Sequence, residues 1–178
     1  MLMKKSTLKL LIKLTVWIIF IAIYSQSSEI PSKPTPVESS PPQIEKPIDE
    51  TTLYKVIRVI DGDTIEIEGG QKIRYIGIDT SEITTPIECY GIEASNRNKE
   101  LVEGKVVKLL KDVSETDRYG RLLRYVYIDD IFVNELLVSE GFANASSYPP
   151  DIKYQEQLTE AEKTARANNL GLWGKCIE

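Results

Sequence analysis

Residues 56–82 read VIRVIDGDTIEIEGGQKIRYIGIDTSE. Within them Ile65 and Ile67 alternate with Glu66 and Glu68, the two-residue period of a strand with one face in the core and the other in water. Gly69-Gly70 separates this strand, residues 64–68, from a second apolar run over 72–78, and two glycines between such runs signal a tight hairpin. Residues 53–60 precede both as another strand, so the stretch predicts three strands in sequence. Asp61-Gly62-Asp63-Thr64 falls at the first turn, and Asp79-Thr80-Ser81-Glu82 follows the third strand.

Beyond this stretch, residues 105–110 and 122–128 are two further strands, rich in Val, Leu and Tyr. Residues 90–103 predict a helix with Glu93 and Arg97 four apart that stops at Gly104, and 132–140 predict one that stops at Gly141. A third, 152–169, follows Asp151 as N-cap and ends before Gly171. A mostly β, α+β domain is expected: a five-stranded OB-type barrel with three helices, one of them inserted between the third and fourth strands. The same elements also suit an undivided α+β sandwich, and periodicity does not choose between the two.

The 178 residues are 42% hydrophobic and 28% charged with a formal net charge of −5, values that suit a globular protein of one domain with an appendage. There is no histidine and there are two cysteines, which excludes a Ser/His/Asp triad and a four-ligand Cys/His zinc site. Hydrolytic chemistry must therefore run on carboxylates, arginines, hydroxyls, lysines or a metal held by oxygen, and oxygen ligands favour a hard cation such as Ca2+ or Mg2+.

Residues 1–24 carry Lys4, Lys5, Lys9 and Lys13 ahead of the uncharged run LTVWIIFIAIY, the pattern of a secretory signal peptide or an uncleaved N-terminal membrane anchor. In either case the remainder is expected to be exported, secreted or tethered to the outer face of the membrane. Residues 25–50 hold six of the nine prolines and five acids, so they are expected to be a semi-extended linker. Residues 51–178 form the folded domain, with 16 basic against 22 acidic side chains. Such a domain lacks the broad basic field of a nucleic-acid binder, which predicts weak non-specific affinity for nucleic acid.

Taken singly, the Asp61 segment is a turn, the Asp79 segment an acidic loop, and Arg74 and Arg121 surface ion pairs. Taken together they suggest chemistry. Adjacent strands bring Asp63 and Asp79 to one rim, giving two carboxylates suited to a hard cation. The guanidinium fork of arginine suits a phosphate whose charge grows in a transition state.

Six segments stand in order and at compatible spacing: VIRVIDGDTIEI (56–67), IRYIGIDTSE (73–82), YGIEAS (90–95), TDRYGR (116–121), VNELLVSEGFA (133–143) and GLW (171–173). Over residues 52–173 the chain resembles the thermonuclease, or staphylococcal nuclease-like, family. The resemblance implies Asp63 and Asp79 as Ca2+ carboxylates, with the Thr80 carbonyl as a further ligand. It implies Glu82 as the residue that positions or deprotonates the attacking water, and Arg74 and Arg121 as the clamp on the phosphate. Arg118, Tyr119 and Tyr148 are expected to line the nucleotide site. The implied activity is cleavage of single-stranded DNA and RNA, and of duplex DNA where it opens, leaving 3′-phosphates, by a monomer. Departures from the family pattern are Ser81 in place of proline, Arg118 in place of lysine, and a tyrosine-rich segment matched only loosely by Ser147-Tyr148-Pro149-Pro150.

An exported chain with two cysteines most simply pairs them, Cys89 to Cys176; two free buried thiols are the alternative. The competing functional class is an OB-type module that only binds nucleic acid or a protein partner, and a third is a membrane-tethered adaptor. Retention of Asp63, Asp79, Glu82, Arg74 and Arg121 together favours the enzyme, because a binding module has no physical need for that set.

Overall fold

Gly69 and Gly70 take up φ values of +96° and +83°, the turn that joins β2 (Thr64–Ile67) to β3 (Lys72–Tyr75). The computed structural model describes residues 53–176; the leader and linker expected over 1–50 lie outside the described residues. β1 (Leu53–Val59) pairs antiparallel with β2 and with β5 (Val106–Leu110), and β5 pairs antiparallel with β6 (Leu122–Ile128). Parallel pairing of β3 with β6, Arg74 lying opposite Leu123, closes the five strands into a barrel. That closure decides against the sandwich and gives the expected OB-type architecture. Val56, Ile65, Ile67, Ile73, Val107, Leu109 and Val126 fill the interior, each of them fully buried.

Helix α1 (Gly91–Val102) is inserted between the third and fourth barrel strands, as expected. A two-residue strand β7 (Ile131–Phe132) leads into α2 (Val133–Ser139), α3 (Gln155–Ala167) follows, and a single turn α4 (Leu172–Lys175) ends the domain. Two buried asparagines lock helices to the barrel. Asn134 accepts the Val126 N–H at 2.9 Å and donates to the Ile76 carbonyl at 2.8 Å. Asn98 accepts the Tyr75 hydroxyl at 3.0 Å and donates to the Asp61 carbonyl at 3.2 Å, which ties α1 to the first turn.

Three local expectations are corrected. The strand over 72–78 is broken at Ile76-Gly77, and the short β4 (Ile78–Asp79) pairs instead with β8 (Asn144–Ala145). Gly77 has φ +79°, and a Cβ there would stand 2.5 Å from Leu158 Cδ1, so packing of α3 onto bare backbone turns the chain. Arg97 reaches across to Glu140, at 2.6 and 2.8 Å, and to Glu100, rather than back to Glu93. Asp151 does not cap α3: its carboxylate accepts the N–H groups of Val113 and Ser114, at 3.0 and 2.7 Å, and the helix starts later, at Gln155. In each case a partner distant in sequence outcompetes the local one.

Candidate active site

One end of the barrel opens into a cleft of about 520 Å³ built from the β1–β2 turn, the end of β3 with the segment after it, the β5–β6 loop and the Tyr148 segment. Asp63, Arg74, Asp79, Thr80, Glu82, Arg118, Tyr119, Arg121 and Tyr148, which lie apart along the chain, all line it. Cys89 and Cys176 do not line it; they are bonded to each other, closing 87 residues at the start of α1.

Register explains the first cluster. Thr64 on β2 stands opposite Arg74 on β3, so Asp63, one residue before, meets the guanidinium. Arg74 Nε pairs with Asp63 Oδ1 at 3.1 Å and its Nη2 donates to Asp79 Oδ1 at 2.7 Å. Its Nη1 donates to the Tyr75 and Ile78 carbonyls, both at 2.8 Å, which holds the fork still across the strand break. Asp63 is 5% exposed, and Oδ2 accepts the N–H and the hydroxyl of Thr80 at 2.9 and 3.2 Å. Burial above all, helped by the charges of Asp61 and Asp79, pushes the Asp63 carboxyl up to about 7 against the opposing pull of Arg74 and the Thr80 N–H.

Two carboxylates, Asp63 and Asp79, thus pair with one guanidinium while the charge of Asp61 acts on Asp63, and the donors on offer are all oxygen. Such a set fits a hard divalent cation, which would relieve the excess negative charge. Among the described residues no group of three or more His, Cys, Asp or Glu side chains is placed to hold a metal. A cation here would therefore draw on Asp63, Asp79, a main-chain carbonyl such as that of Thr80, and water.

Arg121 is aimed by Asp117. Asp117 Oδ1 accepts the N–H groups of Tyr119 and Arg121, at 2.9 and 3.0 Å, which shapes the turn, while Oδ2 accepts Arg121 Nε at 2.7 Å. Burial raises the Asp117 carboxyl's pKa, but the bonds from Arg121 and Tyr119 outweigh it and hold it below the usual carboxylate range. Arg121 Nη1 donates to Thr64 Oγ1 at 3.2 Å, and Thr64 donates on to Asp63 Oδ1 at 3.2 Å, so one hydroxyl links the two halves of the site. Arg121 Nη2 makes no hydrogen bond among the described residues, which leaves an edge of the guanidinium for an anion, and the group lies over the Tyr119 ring at 5.6 Å from its centre. Arg124, 1% exposed, anchors this loop from beneath through the Glu115 carboxylate and main chain.

Tyr119 and Tyr148 stand at the cleft 68% and 62% exposed. Arg118 lies over the Tyr119 ring at 4.7 Å from its centre and donates to its hydroxyl. Glu82 lies exposed among the residues that line the cleft, at the start of the loop that leads to α1. Sequence patterns carried no role for Thr64, Asp61 or Asp117. The signal for the acids was an Asp two residues ahead of a main-chain N–H that it accepts, Asp61 for Asp63 and Asp117 for Tyr119.

A family model described as Staphylococcal nuclease homologue matches residues 72–175, the span from β3 to the end of α4; Asp63 lies just ahead of it. The chain is 44% identical over 126 residues to a thermonuclease of Staphylococcus hyicus, covering 67% of this chain and 75% of that one. It is 43% identical over 126 residues to a thermonuclease of Staphylococcus intermedius, with the same coverage. It is also 44% identical over 126 residues to Endonuclease YncB of Bacillus subtilis (strain 168), covering 66% of this chain and 60% of that one. A shared barrel alone does not produce a match over more than half the chain together with identities above 40%. The chain belongs to the staphylococcal nuclease homologue family.

Proposed function

We propose that the protein is an exported, Ca2+-dependent nuclease that hydrolyses phosphodiester bonds of DNA and RNA, prefers single strands and leaves 3′-phosphates. The observation that carries this reading is the convergence of Arg74 and Arg121 on the cleft that also holds Asp63, Asp79 and Glu82. The names of the relatives, thermonucleases and an endonuclease, support it.

Asp63, Asp79 and the Thr80 carbonyl would hold Ca2+, which when bound polarises the phosphoryl group and offsets its charge. Glu82 orients the attacking water and accepts its proton. Arg121, held by Asp117, turns its free Nη2 edge to the phosphoryl oxygens, and Arg74 adds a second positive charge fixed by two carbonyls. Both are in place before charge develops, so they stabilise the transition state without reorganising. Tyr119 and Tyr148 offer faces on which bases of an unpaired strand stack, and Arg118 meets the backbone. Duplex DNA keeps its bases stacked inside, which is the physical ground for the single-strand preference.

Export rests on the four lysines and apolar run of residues 1–24, and the Cys89–Cys176 bond agrees with an oxidising compartment. Among the described residues no helix is long and apolar enough to cross a membrane. The test is cleavage of end-labelled single-stranded DNA and RNA by the full chain, with Ca2+ and with chelator, beside Glu82→Gln. Chelator-sensitive cutting to 3′-phosphate ends that the variant loses is expected. Strand binding without cutting would move the protein to the binding-module class.

A further inference from the structure

Glu82 sits at the neck of a closed loop. Its N–H donates to Glu88 Oε2 at 2.9 Å, and the Glu88 N–H donates to the Glu82 carbonyl at 2.9 Å. These two bonds set the segment Ile83-Thr84-Thr85-Pro86-Ile87 outside the neck. The neck is seated on the first turn of α1. Gly91 donates to the Glu88 carbonyl at 3.2 Å, and a Cβ on Gly91 would stand 2.6 Å from the Glu82 carbonyl oxygen and 2.9 Å from that of Ser81. Glu88 is in turn anchored on its far side, because Cys89 is bonded to Cys176 and Tyr90 stacks on Phe142 with ring centres 5.4 Å apart.

Glu82 needs such a support. It lies in a segment without helix or strand, and Ser81 before it lacks the fixed φ of a proline. We propose that Glu88 is a positioning residue for Glu82: its carboxylate holds the Glu82 main chain and thereby aims the side chain that handles the water. This rests on the nuclease reading above. A carboxylate acceptor makes a stronger bond to an N–H than a neutral group does, and its loss leaves that N–H to water and the Glu82 backbone free to turn. Misplacing a catalytic group by about 1 Å is worth up to roughly a hundredfold in rate.

The experiment measures kcat and KM of the full chain on single-stranded DNA with Ca2+, and amide hydrogen exchange at Glu82. Glu88→Ala is expected to lower kcat at least about tenfold with KM held within about twofold, and to speed exchange at the Glu82 amide. Glu88→Gln, which keeps an oxygen acceptor, is expected to recover most of both. Placed on Glu82→Gln, the alanine change should cost nothing further. An unchanged kcat in Glu88→Ala, equal losses in the alanine and glutamine variants, or an additive loss in the Glu82→Gln background would overturn the assignment. Absence of cutting by the unaltered chain would instead sink the nuclease reading, and the exchange rates would still decide whether Glu88 holds the Glu82 amide.

Discussion

Gly62 is where the two acidic segments touch, and adding one methyl group there probes the whole carboxylate cluster. Its φ lies outside the left-handed region, so alanine brings no backbone strain; only space is at issue. The new Cβ would stand 2.6, 2.7 and 2.8 Å from Thr80 Oγ1, Cβ and Cγ2, and ordinary contact begins at 3.4 Å, so the segments must part by about 0.8 Å. Thr80 cannot swing aside cheaply. It is 8% exposed and β-branched, and its N–H and hydroxyl are both held on Asp63 Oδ2. Overpacking of this kind costs about 1–3 kcal/mol of stability. Because the displaced groups carry Asp63 and Asp79, kcat/KM is expected to fall by on the order of a hundredfold. Urea unfolding gives the first quantity and cleavage of a labelled oligonucleotide the second. Thr80→Gly removes the obstructing atoms, so adding Gly62→Ala to it should cost less than about 0.5 kcal/mol more, a coupling that two independent sites would not show. Wild-type stability and rate in Gly62→Ala, or strictly additive costs in the pair, would refute the steric reasoning.

Arg121→Ala should lower kcat/KM by on the order of 3 kcal/mol, the scale of losing one preorganised donor. Asp117→Ala should lose part of that and add nothing to Arg121→Ala, since it acts by aiming the same guanidinium; kinetics of the double variant check this. In metal-free protein the Asp63 carboxyl is raised from its ordinary 3.8 to about 7, so the folded state holds a proton that the unfolded state has shed. The Asp63 contribution to stability is then fully present below about pH 4 and declines by roughly 4 kcal/mol as pH rises to about 7. Chemical denaturation in chelator should show Asp63→Ala gaining on the unaltered protein over that interval, and a constant gap would contradict the burial of the charge. Replacing both Cys89 and Cys176 by serine removes a closure of 87 residues and should cost about 4–5 kcal/mol on the chain-entropy account, read as a fall in Tm that a thiol reductant reproduces in the unaltered chain.

Much of this molecule is legible from short-range pattern. The alternation at Ile65 and Ile67, the Gly69-Gly70 turn and the glycines that stop the helices are local signals, and the strands and helices they mark are present in the structure. The same holds for the residue types of the site. Acids flanking strands, Arg74 within one and Arg121 at the entry to another could be singled out because the chemistry of phosphate and hard cations admits few other side chains. Local pattern failed where a distant group competed. Leu158 breaks the strand at Gly77, Glu140 takes Arg97 from Glu93, and the Val113 and Ser114 N–H groups take Asp151 from its helix.

Order along the chain therefore settles which elements form and which side chains are available, since both depend on neighbours a few residues apart. The closed barrel alone decides what those side chains become. Parallel pairing of β3 with β6 brings Arg121 beside Thr64, 57 residues earlier, and burial at the barrel's end, not residue type, raises the Asp63 carboxyl. Register and desolvation are properties of the packed chain, and no window of sequence contains them.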